Sequence, residues 1–229
     1  KIFLDKHKDK PTTANRCKRL FSTIWNHARG WGYTDAENPC KGIMGHELKK
    51  REVYVTDAVL AAVRAHASPQ LADALDMAYL TGQRPGDTVL MHEDDIDGDW
   101  LLVGQGKTGK RLRLLITGAL ADLLARINER KAGCKEASGY LLVKKDGRKM
   151  TRDALRYQYD KARESAAAGN ADLDEEIKKM WFYDLRAKAA DDSADARGEQ
   201  AASDLLGHDS VKTTRRHYLR RGKIVVPTK

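Results

Sequence analysis

The chain is organised around one stretch, Leu205-Leu206-Gly207-His208-Asp209-Ser210-Val211-Lys212-Thr213-Thr214-Arg215-Arg216-His217-Tyr218. A histidine follows a Leu-Leu-Gly turn, and a run of small and basic residues then leads to a single tyrosine. A tyrosine among cations is a candidate nucleophile for a phosphodiester, because nearby positive charge favours the ionised phenol. A tyrosine in a basic helix is more often simply half-buried, so the chemical interpretation depends on the rest of the chain.

The excess positive charge lies at the two ends of the chain. The net charge of the 229 residues is +9. Residues 1–50 carry 11 Lys/Arg against 5 Asp/Glu, residues 205–229 carry 7 against 1, and the part between them is slightly acidic. Two basic elements that flank a near-neutral body favour a polyanion such as nucleic acid as the partner. Two solvated ends that merely keep the chain soluble are the alternative.

The composition indicates a soluble, mostly helical protein of one large or two small domains, with 33% charged and 7% aromatic residues. No apolar run approaches the ~20 residues that a membrane helix needs, and the polar start of the chain is unlike a signal peptide. Because the first residue is lysine, we expect a fragment or a processed form. The cysteines Cys17, Cys40 and Cys134 lie far apart without histidines at ligand spacing, so we expect reduced thiols and no metal site.

Hydrophobic periodicity and turn residues predict a mainly α fold with a small antiparallel β-sheet, an α+β arrangement. The glycine-rich turn 104–110 joins two β-type runs, 100–103 and 112–116, into a hairpin. The stretch 44–52 suggests a linker. The Ala-, Glu- and Lys-rich stretch 163–178, around Gly169-Asn170, is expected to include a mobile loop. The predicted helices are 12–30 (capped by Thr12 or Thr13, with Leu20 and Ile24 inward), one from Thr56, 69–82, 118–131, one from Thr151, 180–192, 200–206 and 212–220.

Three charged side chains at separated positions are candidate catalytic residues alongside those of the stretch 205–218. Arg84 follows the helix end Leu80-Thr81-Gly82-Gln83, Lys107 lies at the hairpin tip, and Arg186 lies one helical turn after Tyr183. Each has an ordinary structural explanation when taken alone, as a helix cap, a solvated turn residue or a salt-bridged arginine. The set and its order therefore matter more than any member.

The chemistry of phosphodiester cleavage needs such a set. The phosphate under attack becomes more negative, and two arginines neutralise its non-bridging oxygens through forked N–H donors. A tyrosine oxygen that attacks phosphorus forms a covalent phosphotyrosine, and the leaving 5′ oxygen takes a proton from a lysine or histidine. Such a site requires neither a metal ion nor another cofactor.

Three motifs in this order resemble those of the tyrosine recombinases, the phage-integrase family. The stretch Leu80-Thr81-Gly82-Gln83-Arg84-Pro85-Gly86-Asp87 is similar to the first arginine box, with Asp87 at its acidic position. Gly106-Lys107-Thr108-Gly109-Lys110 resembles the hairpin that carries the general-acid lysine, and Leu205-Leu206-Gly207-His208 resembles the third box. The resemblance covers roughly residues 51–222, and the preceding stretch is similar to the end of the family's helical core-binding domain.

The resemblance implies a role for each residue of the set. Arg84 and Arg186 are expected to clamp the scissile phosphate, and Lys107 to protonate the leaving 5′ hydroxyl. His208 is expected to assist the phosphate or the tyrosine, and Tyr218 to form the 3′-phosphotyrosine.

The resemblance also implies an organisation and a function for the whole chain. We expect part of a core-binding domain at 1–48, a catalytic domain at 49–222 and a tail at 223–229. The expected function is site-specific DNA recombination, integrating and excising a phage or mobile element without a cofactor. The expected substrate is double-stranded DNA attachment sites. The chain is expected to form a tetramer on DNA, to be a monomer without DNA, and to work with a directionality factor. No membrane partner is expected, and the expected location is cytoplasmic and nucleoid-associated. The side chains expected to contact DNA are Arg16, Lys18, Arg19, Lys110, Lys212, Arg215 and Arg216.

The sequence departs from the family pattern at two points. Tyr183 stands where histidine is usual, three residues before the second arginine; tyrosine is a far weaker base near pH 7, so we expect it to donate a hydrogen bond to the phosphate. Tyr218 lies ten residues after His208, where nine is commoner, and residues 212–217 must absorb the extra one. The apolar tail at 224–227 is expected to dock on a neighbouring copy or, alternatively, as a strand on its own sheet.

Two other functions remain open from the sequence. A DNA-binding protein of the same fold without strand exchange would keep the basic surfaces but would not cleave. A type IB topoisomerase-like enzyme would share the tyrosine chemistry but would relax plain supercoiled DNA.

Overall fold

The computed structural model describes residues 1–222 and 227–228. The predicted docking of the tail falls mainly on residues 224–226, which lie outside the described residues. The chain divides into two compact units, Lys1–Arg51 and Glu52–Lys229. Among the described residues no helix combines the length and apolarity that crossing a membrane requires.

The first unit consists of two helices and an irregular segment that folds back on them. Helix α1 spans Ile2–Lys6 and α2 spans Pro11–Gly30. The side chain of Asn15 accepts from and donates to the backbone of His46, both at 2.8 Å, and so holds the irregular segment against α2.

Two sequence predictions for α2 are wrong. The helix begins at Pro11, whose fixed φ suits the first helical position, and not after a threonine cap. Leu20 and Ile24, expected to face a core, are 62% and 56% exposed. A unit of this size has too few elements to cover the whole apolar stripe of a long helix.

The second unit is built from helices around one apolar core, with a small sheet at its edge, and the predicted mainly α fold with an antiparallel sheet is confirmed. The strands β1 (Ile96–Asp97), β2 (Trp100–Gly104) and β3 (Arg111–Leu115) follow in that order, all antiparallel. The hairpin register pairs Leu101 with Leu114 and Val103 with Leu112. Its helices are α3 (Asp57–Ala65), α4 (Pro69–Thr81), α5 (Pro85–Thr88), α6 (Ala119–Ala132), α7 (Arg152–Gly169), α8 (Asp174–Lys179), α9 (Asp184–Arg197), α10 (Glu199–Leu206) and α11 (Val211–His217).

Side-chain caps start three of these helices where the sequence indicated. The hydroxyls of Thr56, Ser68 and Thr151 accept hydrogen bonds from backbone N–H groups in the first turns of α3, α4 and α7. Glycines in the left-handed conformation end α4 and α10, at Gly82 (φ 63°) and Gly207 (φ 65°).

Three predicted boundaries differ from the structure. Most of residues 163–178 is helical, because α7 continues to Gly169 and a 3₁₀ turn, Ala171–Leu173, leads into α8. The expected loop is reduced to the break at Asn170. Helix α9 begins at Asp184, so Tyr183 precedes it rather than lying inside it. Helix α11 ends at His217, and Tyr218 is the residue that follows its last turn.

Candidate active site

Arg186 ties together the ends of two helices. It lies in the first turn of α9 and is 1% exposed. Its Nη1 donates to the carbonyl of Gly82, at the end of α4, at 2.6 Å, and its Nη2 donates to the carbonyl of Leu206, at the end of α10, at 2.7 Å. Its Nε has no hydrogen-bond partner among the described residues. This buried guanidinium N–H is therefore a donor that the hydrogen bonds of the described residues leave unused.

Tyr218 and Tyr183 meet through their hydroxyl groups. Tyr218 is 8% exposed, Tyr183 is 36% exposed, and their Oη atoms are 2.6 Å apart. The guanidinium carbon of Arg186 lies 5.2 Å from the centre of the Tyr218 ring. The nucleophile predicted from the sequence is therefore inside a cationic, partly buried site next to a second phenol.

The two phenols have opposite pKa shifts. Burial and the hydrogen bond to Tyr218 raise the pKa of Tyr183 to about 12. Burial alone would raise the pKa of Tyr218 too, but the hydrogen bond from Tyr183 and the charges of Arg186 and Arg84 outweigh it and lower that pKa. Tyr183 is thus the donor and Tyr218 the oxygen that ionises first.

His208 is held in one neutral form. Its Nε2 lies 3.3 Å from Nη2 of Arg186, which can only donate, so Nε2 is the acceptor. Its Nδ1 then carries the proton and donates to Oγ1 of Thr214 at 2.7 Å. Burial and the charges of Arg186 and Arg84 lower the pKa of His208 to about 4. A neutral imidazole at pH 7 follows.

Arg84 faces the same site from the start of α5. Its guanidinium is 16% exposed; Nη1 donates to Oε1 of Gln105 at 3.2 Å and lies 3.7 Å from Oδ2 of Asp87. The other carboxylate oxygen of Asp87 accepts from the backbone N–H of Gly106 at 3.1 Å. Asp87, predicted to support the site, therefore joins the first arginine box to the hairpin.

Lys107 is the one predicted catalytic residue without a contact in this cluster. It lies in the exposed turn between β2 and β3 and makes no hydrogen bond or ion pair with a described residue. The other five predicted residues are brought together by direct contact or by charge: Arg84, Tyr183, Arg186, His208 and Tyr218.

The segment after Tyr218 is fixed to α9, the helix that carries Arg186. Oδ1 of Asp191 accepts from the backbone N–H groups of Arg220 and Arg221, at 2.9 and 3.2 Å. The guanidinium of Arg220 donates to the buried carboxylate of Asp184 at 2.7 Å. The chain that follows Tyr218 is therefore held against α9.

The residues expected to contact DNA fall into two groups. Arg16, Arg19, Lys212 and Arg216 are exposed, and none pairs with an acidic residue in the described parts of the chain. The other three are engaged: Lys18 donates to the carbonyl of Ile43, Lys110 pairs with Asp209, and Arg215 pairs with Glu199.

Sequence reasoning missed three polar residues that hold the site: Gln83, Gln105 and Thr214. Both glutamines are 1% exposed, and Thr214 is fully buried. Their nearness to Arg84, Lys107 and Tyr218 in the sequence was the available signal. Both glutamines also bind carbonyls far along the chain, at Leu205 and Leu206, whereas Thr214 binds the nearby His208.

Comparison with known proteins gives the same family throughout. The model described as "Phage integrase family" matches residues 54–223. The integrase of Escherichia phage HK022 is 26% identical over 219 residues, covering 93% of this chain and 60% of the relative. The chain thus spans about three fifths of that relative's length.

Solved structures share the fold. A lambda integrase dimer bound to a COC′ core site superposes with a TM-score of 0.79 at 20% identity, covering 97% of this chain and 63% of that one. The Tn1549 transposon integrase (residues 82–397), in complex with circular intermediate DNA, gives 0.70 at 16% identity, with 93% and 77% covered. XerA recombinase gives 0.57 at 16% identity, with 93% and 75% covered.

Proposed function

The chain belongs to the phage integrase family, and from that premise we propose that it is a site-specific DNA recombinase that cleaves and rejoins DNA through a 3′-phosphotyrosine. The observation that carries the proposal is the placement of the Tyr218 hydroxyl. It is 2.6 Å from the hydroxyl of Tyr183, and the buried guanidinium of Arg186 lies over the Tyr218 ring. A phenol whose pKa is lowered in a cationic site is suited to attack phosphorus.

The proposed reaction exchanges one phosphodiester for another. Tyr218 first loses its phenolic proton to solvent. Its Oη then bonds to phosphorus, the bond from phosphorus to the 5′ oxygen breaks, and Lys107 gives that oxygen a proton. Arg84 and Arg186 neutralise the non-bridging oxygens, the latter through its free Nε–H. The reverse attack by a 5′ hydroxyl rejoins DNA, and the covalent bond conserves the energy, so the proposal includes no cofactor.

Two details of the site refine the roles of the remaining groups. Neutral His208 accepts from Arg186 and donates to Thr214, which suits a group that orients the arginine and Tyr218. Tyr183 can donate to the ionised nucleophile as well as to a phosphate oxygen, but at pH 7 it is a poor base.

The proposed organisation follows the family. The region 1–48 is proposed as part of a core-binding domain that grips DNA through Arg16, Lys18 and Arg19, and 49–222 as the catalytic domain, followed by a tail. Lys110, Lys212, Arg215 and Arg216 are proposed to contact the duplex near the scissile phosphate.

Partners are proposed from the same relatives. Lambda integrase has been solved as a dimer on a core site and as a tetramer on a Holliday junction. We propose double-stranded attachment sites as the substrate, a tetramer of this chain on DNA with a monomer in its absence, a directionality factor, and a cytoplasmic location on the nucleoid.

The deciding experiment is covalent trapping on nicked suicide substrates that carry candidate attachment sites. The chain should give a protein–DNA adduct that survives denaturing electrophoresis, Tyr218→Phe should give none, and Tyr157→Phe, at an exposed tyrosine outside the site, should behave as the unsubstituted chain. DNA binding without an adduct would instead support a binding protein without strand exchange. Relaxation of plain supercoiled DNA would support a type IB topoisomerase-like enzyme.

A further inference from the structure

Gln105 is a buried amide that four polar groups surround. It follows β2 directly, at the base of the turn that carries Lys107, and is 1% exposed. Its Oε1 accepts from Nη1 of Arg84 at 3.2 Å and from Oγ1 of Thr108 at 2.8 Å. Its Nε2 donates to Oε1 of Gln83 at 2.8 Å and to the carbonyl of Leu206 at 3.0 Å. Every hydrogen-bonding site of the amide is used.

The orientation of this amide is fixed by its surroundings. Arg84 can only donate and the Leu206 carbonyl can only accept, so turning the amide over would oppose donor to donor and acceptor to acceptor. The amide of Gln83 is fixed too, because its Nε2 donates to the carbonyls of Thr81 and Leu205 and leaves Oε1 for Gln105. A side chain with an acceptor at one end and two donors at the other is what this position demands.

One carbonyl connects the amide to the second arginine. The oxygen of Leu206 accepts from Nε2 of Gln105 and also from Nη2 of Arg186. The two arginines are therefore linked through three hydrogen bonds, from Arg84 to Gln105, from Gln105 to Leu206 and from Arg186 to the same carbonyl. The link joins residues far apart in sequence, so it acts only in the folded chain.

The same residue holds the base of the hairpin turn. Its backbone N–H donates to the carbonyl of Lys110 at 2.8 Å, and its own carbonyl accepts from Gly109 at 2.8 Å. On the opposite side the chain approaches so closely that a Cβ at Gly207 would lie 2.8 Å from Nε2 of Gln105. Gln105 thus fixes the position of the turn with Lys107 relative to the segment that leads into His208.

We propose that Gln105 is a positioning residue that sets the separation of Arg84 and Arg186 and the place of the Lys107 turn relative to them. The inference rests on the proposed cleavage reaction, in which both arginines must meet one phosphate. Gln105 acts through the arginines, because each of its side-chain hydrogen-bonding positions is already occupied within the protein.

Gln105→Met tests the proposal, since methionine keeps the length of the side chain and removes all four hydrogen bonds. The single-turnover cleavage rate should fall about 10- to 100-fold, because small displacements of groups around a reacting phosphate have effects of this size. Affinity for the DNA duplex should stay within about twofold, since many phosphate contacts outside the site determine it. Gln158→Met, which removes a hydrogen-bonded glutamine elsewhere in the same unit, is the matched control.

A double substitution separates positioning from general destabilisation. The quantity compared is the change in the logarithm of the cleavage rate that Gln105→Met causes. If Gln105 acts through Arg84, this change should be less than half as large in the Arg84→Ala variant as in the unsubstituted chain. Full additivity, or an unchanged rate for Gln105→Met alone, would overturn the proposal.

Gln105→Glu keeps the proposal testable if the methionine variant does not fold. The carboxylate still accepts from Arg84 but cannot donate to Leu206, whereas the protonated acid can. The ratio of its cleavage rate to that of the unsubstituted chain should therefore rise as pH falls from 8 to 5. A ratio of one at every pH would contradict the donor role.

A readout without DNA distinguishes failure of this inference from failure of the proposed function. Side-chain Nε–Hε relaxation by NMR should show Arg84 ordered in the unsubstituted chain and more mobile in Gln105→Met or Gln105→Glu. If the unsubstituted chain does not cleave DNA but this difference is seen, only the proposed function fails. Unchanged Arg84 mobility would overturn the positioning role whatever the cleavage result.

Discussion

The hydroxyl oxygens of Tyr183 and Tyr218 lie 2.6 Å apart although the residues are separated by 35 positions in the chain. Tyr183 stands where the family usually has histidine, and its raised pKa leaves it protonated at any pH at which Tyr218 begins to ionise. A donor that stays protonated near pH 7 at this distance stabilises the phenolate of Tyr218. If Tyr218 is the nucleophile, as proposed, tyrosine in place of histidine weakens this position as a base but gives the nucleophile a hydrogen-bond donor.

Tyr183→Phe should therefore slow cleavage most at neutral pH. Without the donor the pKa of Tyr218 rises, so less of it is ionised near pH 7. We expect a rate loss of about 10- to 100-fold there, the effect of about 1.5–3 kcal/mol for a hydrogen bond to a charged group. The loss should shrink as pH is raised and Tyr218 ionises unaided.

The measurement is the single-turnover cleavage rate on a nicked duplex between pH 6 and pH 10. Tyr157→Phe supplies the same substitution at an exposed tyrosine that contacts Lys161 and not the site. A loss of equal size at every pH would show that Tyr183 serves the phosphate and does not activate Tyr218.

Lys107→Ala should be rescued by a better leaving group. If Lys107 protonates the leaving 5′ oxygen, its removal should cost roughly 10²- to 10⁴-fold in cleavage of an ordinary substrate. A substrate with sulfur in place of that bridging oxygen expels a thiolate, which needs no proton because the pKa of its thiol is far lower than that of an alcohol. The variant should cleave this substrate within about tenfold of the unsubstituted chain.

Lys135→Ala removes an exposed lysine outside the hairpin and is the control for the loss of one charge. If the sulfur substrate leaves the defect of Lys107→Ala unchanged, Lys107 acts by binding or neutralising phosphate rather than as the acid.

Arg186→Lys should lower stability as well as activity. The guanidinium reaches the carbonyls of Gly82 and Leu206 with separate nitrogens, and one ammonium cannot occupy both positions. At least one of the two carbonyls then loses its hydrogen bond from this side chain. Leu206 keeps the bond from Gln105, so the larger cost, about 1–3 kcal/mol in the free energy of unfolding, arises where the Gly82 carbonyl loses its bond. Urea denaturation measures it, and cleavage should fall more than about 10²-fold.

Arg156→Lys provides the comparison, because Arg156 is 85% exposed and pairs with Asp160 one turn along α7. Its free energy of unfolding should change by less than about 0.5 kcal/mol. Equal stability of the two variants would mean that Arg186 does not hold the ends of α4 and α10 together.

Local signals in the sequence predicted most of the elements but not the contacts between them. The hairpin and the helix starts at Thr56, Pro69 and Thr151 depend on neighbouring residues, and the structure has them. The helical extent of residues 163–178 was not predicted, because an alanine-rich helix with many charges lacks a clear apolar stripe. The predicted start of α9 is too early. Nearly every residue in the first turns of α9 is buried, charged residues included, so no contrast between an apolar and a polar face marks where the helix begins.

The candidate site shows the same limit. Motif order brought Arg84, Arg186, His208 and Tyr218 together before any coordinates, because each stands in a recognisable local pattern. No local pattern reveals the role of Gln105. Two of its partners lie far away in the sequence: Arg84 is 21 residues before it, and the carbonyl of Leu206 is 101 residues after it. Tertiary packing alone determines those meetings.

Stability should fall with acidification in a way that depends on His208. Its pKa is lowered from 6.5 to about 4 in the folded chain, first by burial and then by the charges of Arg186 and Arg84. Above about pH 6.5 both the folded and unfolded states hold it neutral, so it contributes no pH dependence. As pH falls from 6.5 to 4, His208 becomes protonated in the unfolded state but stays neutral in the folded state, so the free energy of unfolding decreases. Below pH 4 both states are protonated and the loss levels off.

His208→Gln isolates this effect, because glutamine stays neutral while keeping a donor and an acceptor. We take the free energy of unfolding of the unsubstituted chain minus that of the variant. This difference should drop by about 2 kcal/mol between pH 7 and pH 4. Each pKa unit corresponds to about 1.4 kcal/mol, and the expected drop is smaller than the full shift would give because the ring is only partly buried. Denaturation by urea at a series of pH values measures the difference, from which carboxylates common to both chains cancel. A difference that stays constant over this range would mean that His208 is protonated in the folded chain as readily as in the unfolded one.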